Sequence, residues 1–292
     1  MTDFFRPSEY YRPNNLSEAA QLLSNFGKKA KLIAGGTDLL VNKPPEVECL
    51  VDVANLDLNY IRKDEDGIKI GAATTVDVIE SSEILSSEPY VVVSEAAGGM
   101  ATPAVRNMAT IGGNISNASP AADLPLALMV LDSTVKVAGQ GESRILPISD
   151  IFEDVNKTTL KEDELLVEIH IPLVTKTTGA SFIKLRHHQT SVDIAIVNVA
   201  ARLTCSKDHC EDVRIALGAV AKKPVYAKKA EKFLIGKRLD AELIQQSAEA
   251  AAGESKPIDD VRASAGYRKK MVPILVKRAL EDCVRRCGTW QK

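Results

Sequence analysis

The order of periodicities along this 292-residue chain predicts an α+β fold. Three observations carry that reading. Strand-like and helical patterns interleave irregularly as far as Pro172, without the strict βαβ alternation of a parallel sheet. Strand-like segments then follow one another between Ala180 and Val220. After Pro224 the pattern turns helical.

The elements read as follows. Asn15 to Phe26 is a helix: Asn15 and Glu18 have capping-box spacing, Leu16, Ala19, Ala20, Leu22 and Leu23 form an apolar face, and Gly27 stops it. Lys31–Ala34 and Cys49–Ala54 are short apolar strands, so residues 1–55 make a small α/β subdomain. Tyr60–Arg62 and Ile68–Ala72 flank DEDG, a hairpin turn signal. Thr74 and Asp77 offer a helix N-terminus, and a helix from Pro89 ends at Gly98-Gly99. Ala122–Leu131 reads as a helix, Thr134–Val137 as a strand, and the alternating Glu164–Ile171 as a strand stopped by Pro172. Residues 56–174 are therefore a second, α+β subdomain, and 1–174 together one domain.

Residues 175–292 form a C-terminal domain with a three-stranded antiparallel sheet and helices. Ala180–Arg186, Asp193–Thr204 and Val213–Val220 are its strands, with a turn at Lys207-Asp208-His209. Lys228–Leu234, Ala241–Ala252 and Ala265–Cys287 are its helices. Tyr267, Met271, Leu275, Ala279 and Cys283 give the last an apolar stripe, and Pro273 either kinks it or starts it.

Composition removes several function classes. With 45% hydrophobic residues the chain can build a real core, and a net charge of -2 gives no reason to expect nucleic acid or an anionic membrane as partner. No apolar run approaches the ~18 residues of a membrane span, and the N-terminus lacks a signal-peptide core. Cysteines at 49, 205, 210, 283 and 287 are too sparse for a disulfide scaffold, which fits a cytoplasmic protein. His187 and His188 are adjacent on a strand and point apart, so they make a poor metal site. Cys283 and Cys287 extend a helical stripe and read as structural, and no four-cysteine cluster is present.

Two glycine-bearing segments carry the chemistry. Leu32, Ile33, Ala34, Gly35, Gly36, Thr37, Asp38 and Leu39 spell a strand running into a glycine pair. Backbone N–H groups can converge there on an anion such as a phosphate, with Thr37 adding a hydroxyl; a plain strand-to-loop turn is the competing reading. Thr110, Ile111, Gly112, Gly113 and Asn114 repeat the theme, followed by Ser116, Ser119 and Asp123. Here the competing reading is a glycine turn with a left-handed asparagine. Two donor-rich segments suggest a ligand with two phosphates. Neither is a dinucleotide fingerprint or a Walker-type loop, so a Rossmann NAD domain and an ATPase are disfavoured.

The same segments resemble the FAD-binding subunits of the molybdenum hydroxylases, the xanthine dehydrogenase and carbon monoxide dehydrogenase family. AGGTDL, TIGGN and SPAADLP occur in the family's order, followed by ELLVEIHIP (164–172), FIKL (182–185) and DIAIVNVAARL (193–203). The resemblance implies an FAD-binding fold of the vanillyl-alcohol-oxidase (PCMH) type. It implies that both glycine segments hold the FAD pyrophosphate through backbone N–H groups. Asp123 matches a residue at the sugar or ribityl chain, and Leu166 and Lys184 match positions lining the adenine and flavin side of the pocket. Met100 stands where some relatives place an aromatic beside the flavin ring. It also implies a role without catalytic or metal-binding residues in this chain: electrons arrive from two-iron two-sulfur clusters of an iron–sulfur subunit, a third subunit holds the molybdenum cofactor, and FAD passes the electrons to NAD or another acceptor. A self-contained flavin oxidoreductase acting directly on a small substrate is the alternative.

Overall fold

The computed structural model describes residues 5–174, 176–188 and 193–288. The chain begins with β1 (Glu9–Tyr11), α1 (Leu16–Phe26), β2 (Ala30–Ile33), the one-turn helix α2 (Leu39–Asn42) and β3 (Cys49–Asp52). The strands form a parallel sheet in the order β1-β3-β2. Helix α1 starts as its sequence suggests: the Asn15 side chain accepts the Glu18 N–H at 2.9 Å, and Gly27 closes the helix at φ 53°. Ala19, Ala20 and Leu23 pack with Cys49 and Val51. Strand β1 carries no sequence signal, because all three of its residues are exposed and only backbone pairing to β3 defines it.

The second unit contains β4 (Ile61–Lys63), β5 (Gly67–Gly71), α3 (Val76–Glu80), α4 (Val91–Gly98), α5 (Pro103–Arg106), α6 (Ile111–Ser116), α7 (Leu124–Val130), β6 (Thr134–Ala138), β7 (Ser143–Pro147), the ribbon β8 (Phe152–Asp154) and β9 (Lys157–Thr158), and β10 (Leu165–Pro172). Its main sheet is antiparallel in the order β4-β5-β10-β6-β7. DEDG closes the β4–β5 hairpin as expected, with Asp64 N–H donating to the Gly67 carbonyl at 2.9 Å. Helix α3 is capped by Thr75, whose hydroxyl accepts from Val78, rather than by Thr74. The buried Thr74 hydroxyl instead bonds the Tyr60 backbone at 3.0 Å. Pro172 ends β10 from within, paired with Gly67. Every residue of α7 is buried, which makes it the central helix of the molecule.

The third unit consists of β11 (Thr178–Leu185), β12 (Val197–Ser206), β13 (His209–Gly218), β14 (Val225–Tyr226), α8 (Lys228–Leu234), α9 (Ala241–Ala252) and α10 (Ala265–Arg286). The expected three-stranded sheet has four strands, all antiparallel; β14, two residues long, is too short to leave a pattern. Strand β12 starts at Val197 rather than Asp193. Its Ala200 packs into the core around α7, while Val197, Val199, Ala201 and Leu203 pack with α8, α9 and α10. The sheet is thus covered on both faces, which explains its near-continuous apolar sequence.

Helix α10 does not start at Pro273 but runs through it from an N-cap at Ser264. Its stripe is buried at Leu275, Ala279 and Cys283, yet Tyr267 is 45% exposed. A four-residue step overshoots one turn by about 40°, so a stripe at that spacing winds off the core. Cys283 and Cys287 donate to the Ala201 and Leu203 carbonyls at 3.3 and 3.2 Å, tying α10 to β12. All five cysteines are buried, and none forms a disulfide. Among the described residues no helix is long and apolar enough to cross a membrane, and no His, Cys, Asp and Glu group could hold a metal ion.

Candidate functional site

The first glycine segment leaves the end of β2. Leu32 and Ile33 are its last strand residues, Ala34 to Asp38 form the connection, and Leu39 opens α2. The two glycines have different tasks. A Cβ on Gly35 would lie 1.7 Å from the Met108 carbonyl oxygen, so backbone meets backbone there. Gly36 has φ 68°, the left-handed conformation that side chains resist. Among the described residues, the N–H groups of Gly35, Gly36, Thr37, Asp38 and Leu39 have no protein acceptor. A run of unpaired N–H groups around a left-handed glycine is a setting for a phosphate.

The second segment departs from the expected loop: TIGGN is the start of α6, not a turn. Thr110 is the N-cap, its hydroxyl accepting from Gly113 N–H at 3.1 Å. Ile111 donates to the Thr74 carbonyl at 3.0 Å, Gly112 to Ala72 at 2.8 Å and Asn114 to Thr110 at 2.9 Å. The N–H groups of Ile111 to Asn114 are therefore spent within the protein, whereas those of Gly35 to Leu39 are open. Ile-Gly-Gly-Asn is a poor helical sequence by propensity. The helix exists because Ile111 and Ile115, one turn apart, are both fully buried. Gly112 lets it close on the neighbouring chain, since a Cβ would come 2.6 Å from the Ala72 carbonyl oxygen. The Asn114 Oδ1 atom is buried without a hydrogen-bond partner. Thr110→Ala should remove the cap and lower stability by ~1 kcal/mol, read as a lower urea midpoint at unchanged slope.

Gly35 against Met108 brings the two glycine segments together, because Met108 leads directly into Thr110. A second cluster gathers Met100, Asp123 and Lys184. The Lys184 ammonium donates to Asp123 Oδ2 at 2.6 Å and to the Gly99 carbonyl at 3.2 Å. Both side chains are almost fully buried, at 6% and 4% exposure. Burial pushes the Asp123 carboxyl up, and Lys184 and Asn198 pull it back. The Met100 turn is held from its other side by Arg106, whose Nη1 donates to the Met100 carbonyl at 2.9 Å. Leu166 belongs to neither cluster: it is a core side chain, 5% exposed, on a strand residue paired with Val137. Sequence reasoning missed Asn198, which donates to Asp123 Oδ1 at 2.7 Å. Its signal was a lone amide inside the apolar run DIAIVNVAARL, because a fully buried amide needs partners. The polar run after Arg186 extends partly outside the described residues.

Residues 5–174 match the family described as the FAD binding domain in molybdopterin dehydrogenase. The chain belongs to that family. Residues 182–283 match a second description, the CO dehydrogenase flavoprotein C-terminal domain. The chain is similar to the carbon monoxide dehydrogenase medium chain of Hydrogenophaga pseudoflava, 32% identical over 284 residues, covering 96% of this chain and 98% of that protein. It is 29% identical to a xanthine dehydrogenase FAD-binding subunit of Escherichia coli, covering 99% of each. A solved carbon monoxide dehydrogenase chain from Hydrogenophaga pseudoflava superimposes with a TM-score of 0.92 at 33% identity, covering 97% of this chain and 99% of that one. The family resemblance in the sequence is thereby confirmed. The α+β fold is an FAD-binding fold, the cofactor of this chain is FAD, and the chain is an oxidoreductase flavoprotein.

The residues present suit that cofactor. Five open N–H groups meet the need of a pyrophosphate for donors, and the orphaned Asn114 oxygen meets that of a ribose or ribityl hydroxyl for an acceptor.

Proposed function

We propose that this chain is the electron-transfer subunit of a heteromeric molybdenum hydroxylase. The observation that carries this is the row of open N–H groups from Gly35 to Leu39, in a chain that matches a carbon monoxide dehydrogenase medium chain over 284 residues. Its partners would be an iron–sulfur subunit and a subunit with the molybdenum cofactor, and the electrons would leave for NAD or another acceptor. Five buried cysteines outside any disulfide fit a reducing, cytoplasmic setting. The proposed division is an FAD-binding domain over 1–174 and a C-terminal domain over 175–292.

Within this reading the N–H groups of Gly35 to Leu39 hold the pyrophosphate, with the Thr37 hydroxyl beside them. Thr110, Gly112 and Gly113 shape the facing wall and Asn114 accepts from a ligand hydroxyl. Met100 packs against the flavin ring. Lys184 and Asp123 supply a fixed charge pair beside the Met100 turn, and Leu166 supports the pocket from the core. Bound FAD would supply the exchange between one-electron and two-electron transfer. A relay of this kind asks for position and water exclusion, not for a protein general base.

The purified chain should take up one FAD, be bleached by dithionite and regain its colour with an acceptor. Failure to take up FAD would sink the reading. Turnover of a small substrate by the isolated chain would favour the self-contained oxidoreductase instead.

A further inference from the structure

We infer that Asn198 and Arg268 are positioning residues for the flavin site: Asn198 orients the Asp123 carboxylate toward Lys184, and Arg268 secures the strand ends that carry Asn198. The inference rests on the reading above that Asp123 and Lys184 belong to the FAD pocket.

Lys184 on β11 and Asn198 on β12 are direct cross-strand partners, and Gly218 on β13 is the next partner across the sheet. The two neighbours grip one carboxylate, each taking a different oxygen: Lys184 takes Asp123 Oδ2 at 2.6 Å and Asn198 takes Oδ1 at 2.7 Å. Asn198 is fully buried. Its amide also lies 3.4 and 3.3 Å from the Ala121 and Ala122 carbonyls, in the segment leading to Asp123. Space for it depends on Gly218, where a Cβ would stand 2.2 Å from Asn198 Oδ1. That oxygen is itself without a partner, so the donor half of the amide makes every bond.

An amide suits this place better than a second cation would. Lys184 already balances Asp123, and another buried charge on β12 would be left uncompensated. Because Lys184 also donates to the Gly99 carbonyl, the orientation of Asp123 sets where the ammonium stands relative to the Met100 turn.

Arg268 performs the next step outward. It is 2% exposed, and its Nη1 donates to the Ile196 carbonyl at 3.1 Å and the Ala219 carbonyl at 2.8 Å. Those carbonyls lie just before β12, which carries Asn198, and just after β13, which ends at Gly218. Its Nη2 is anchored on Asp260 at 2.6 Å. The Ala219 N–H donates to the Pro120 carbonyl at 2.7 Å, joining the same strand end to the segment before Asp123.

The test is acid release of FAD from the loaded full-length protein. The charged groups facing Asp123 are Lys184 on β11 and Arg186 just beyond it. As pH falls, Asp123 protonates and the two-sided grip loses its charge. Without the Asn198 donor the carboxyl rises further, so release should begin at higher pH. Asn198→Ala should weaken FAD binding about tenfold near neutrality and raise the release midpoint by about one pH unit, the equivalent of one strong hydrogen bond. Arg268→Lys, which keeps the charge but loses the fork, should shift the midpoint in the same direction; it also serves should Asn198→Ala fail to fold. Val213→Ala, a cavity in the same domain, should lower the urea midpoint and leave both flavin readouts unmoved. Wild-type affinity and a wild-type release midpoint in Asn198→Ala would overturn the inference for Asn198, and an unshifted Arg268→Lys would overturn it for Arg268. If the wild type itself takes up no FAD, the site reading falls instead.

Discussion

Replacing Gly35 with alanine is expected to abolish FAD retention. The added Cβ would sit 1.7 Å from the Met108 carbonyl oxygen and 2.4 Å from its carbon, and neither is the movable end of a side chain. Overpacking against backbone belongs at the upper end of such penalties, ~3 kcal/mol or more. The strain would spread along the chain, because Ala109 accepts the Val76 N–H at 2.9 Å and Ile111 donates to Thr74 at 3.0 Å. The first segment would have to move away from the second, separating the N–H groups proposed to hold the pyrophosphate from their facing wall. Gly36→Val acts differently. Its φ of 68° makes a branched residue pay ~1–2 kcal/mol of conformational strain, and the side chain would meet Leu40. It should lose FAD while the rest of the fold survives. Flavin-to-protein ratio and urea midpoint measured on both variants separate the cases. Full flavin occupancy in either contradicts the assigned role of that glycine.

Lys184→Met is expected to have the largest effect on stability. It removes the buried cation hydrogen-bonded to the Asp123 carboxylate, leaving the Asn198 amide and the charge of Arg186, a loss of ~3–5 kcal/mol at neutral pH. The pH dependence has a definite sign. Burial already raises the Asp123 carboxyl in the folded state, so the folded protein holds that proton more tightly than the unfolded chain does. The corresponding stability is present in acid and is lost as pH rises through the folded value. Removing Lys184 raises the carboxyl further, so the deficit of the variant should grow from acid to neutral pH. Adding Asp123→Asn should recover part of it, because two neutral groups leave no uncompensated charge. Urea midpoints across the carboxylate range check this. A deficit that stays constant with pH would show that Lys184 acts through packing alone.

Much of the fold was legible because its signals are local. Asn15 and Gly27 bracket α1, DEDG closes a hairpin, and α8 and α9 begin and end where their patterns do. The exceptions share a cause. Strand β1 has no buried side chain, β14 is two residues long, and α6 is built on residues that disfavour helix. Each depends on what packs or pairs against it.

By itself the sequence determined the family, the cofactor and the first glycine segment, since Gly35 and Gly36 answer to constraints on backbone a few residues long. Tertiary structure alone decided that the second segment is a helix start whose N–H groups from Ile111 to Asn114 are spent internally. It alone joined Asp123, Lys184 and Asn198. Those residues come from α7's N-terminus, β11 and β12, and their meeting depends on strand register and on the sheet's docking against α7. Register is set by the summed packing of whole strands, so no short stretch of sequence contains it.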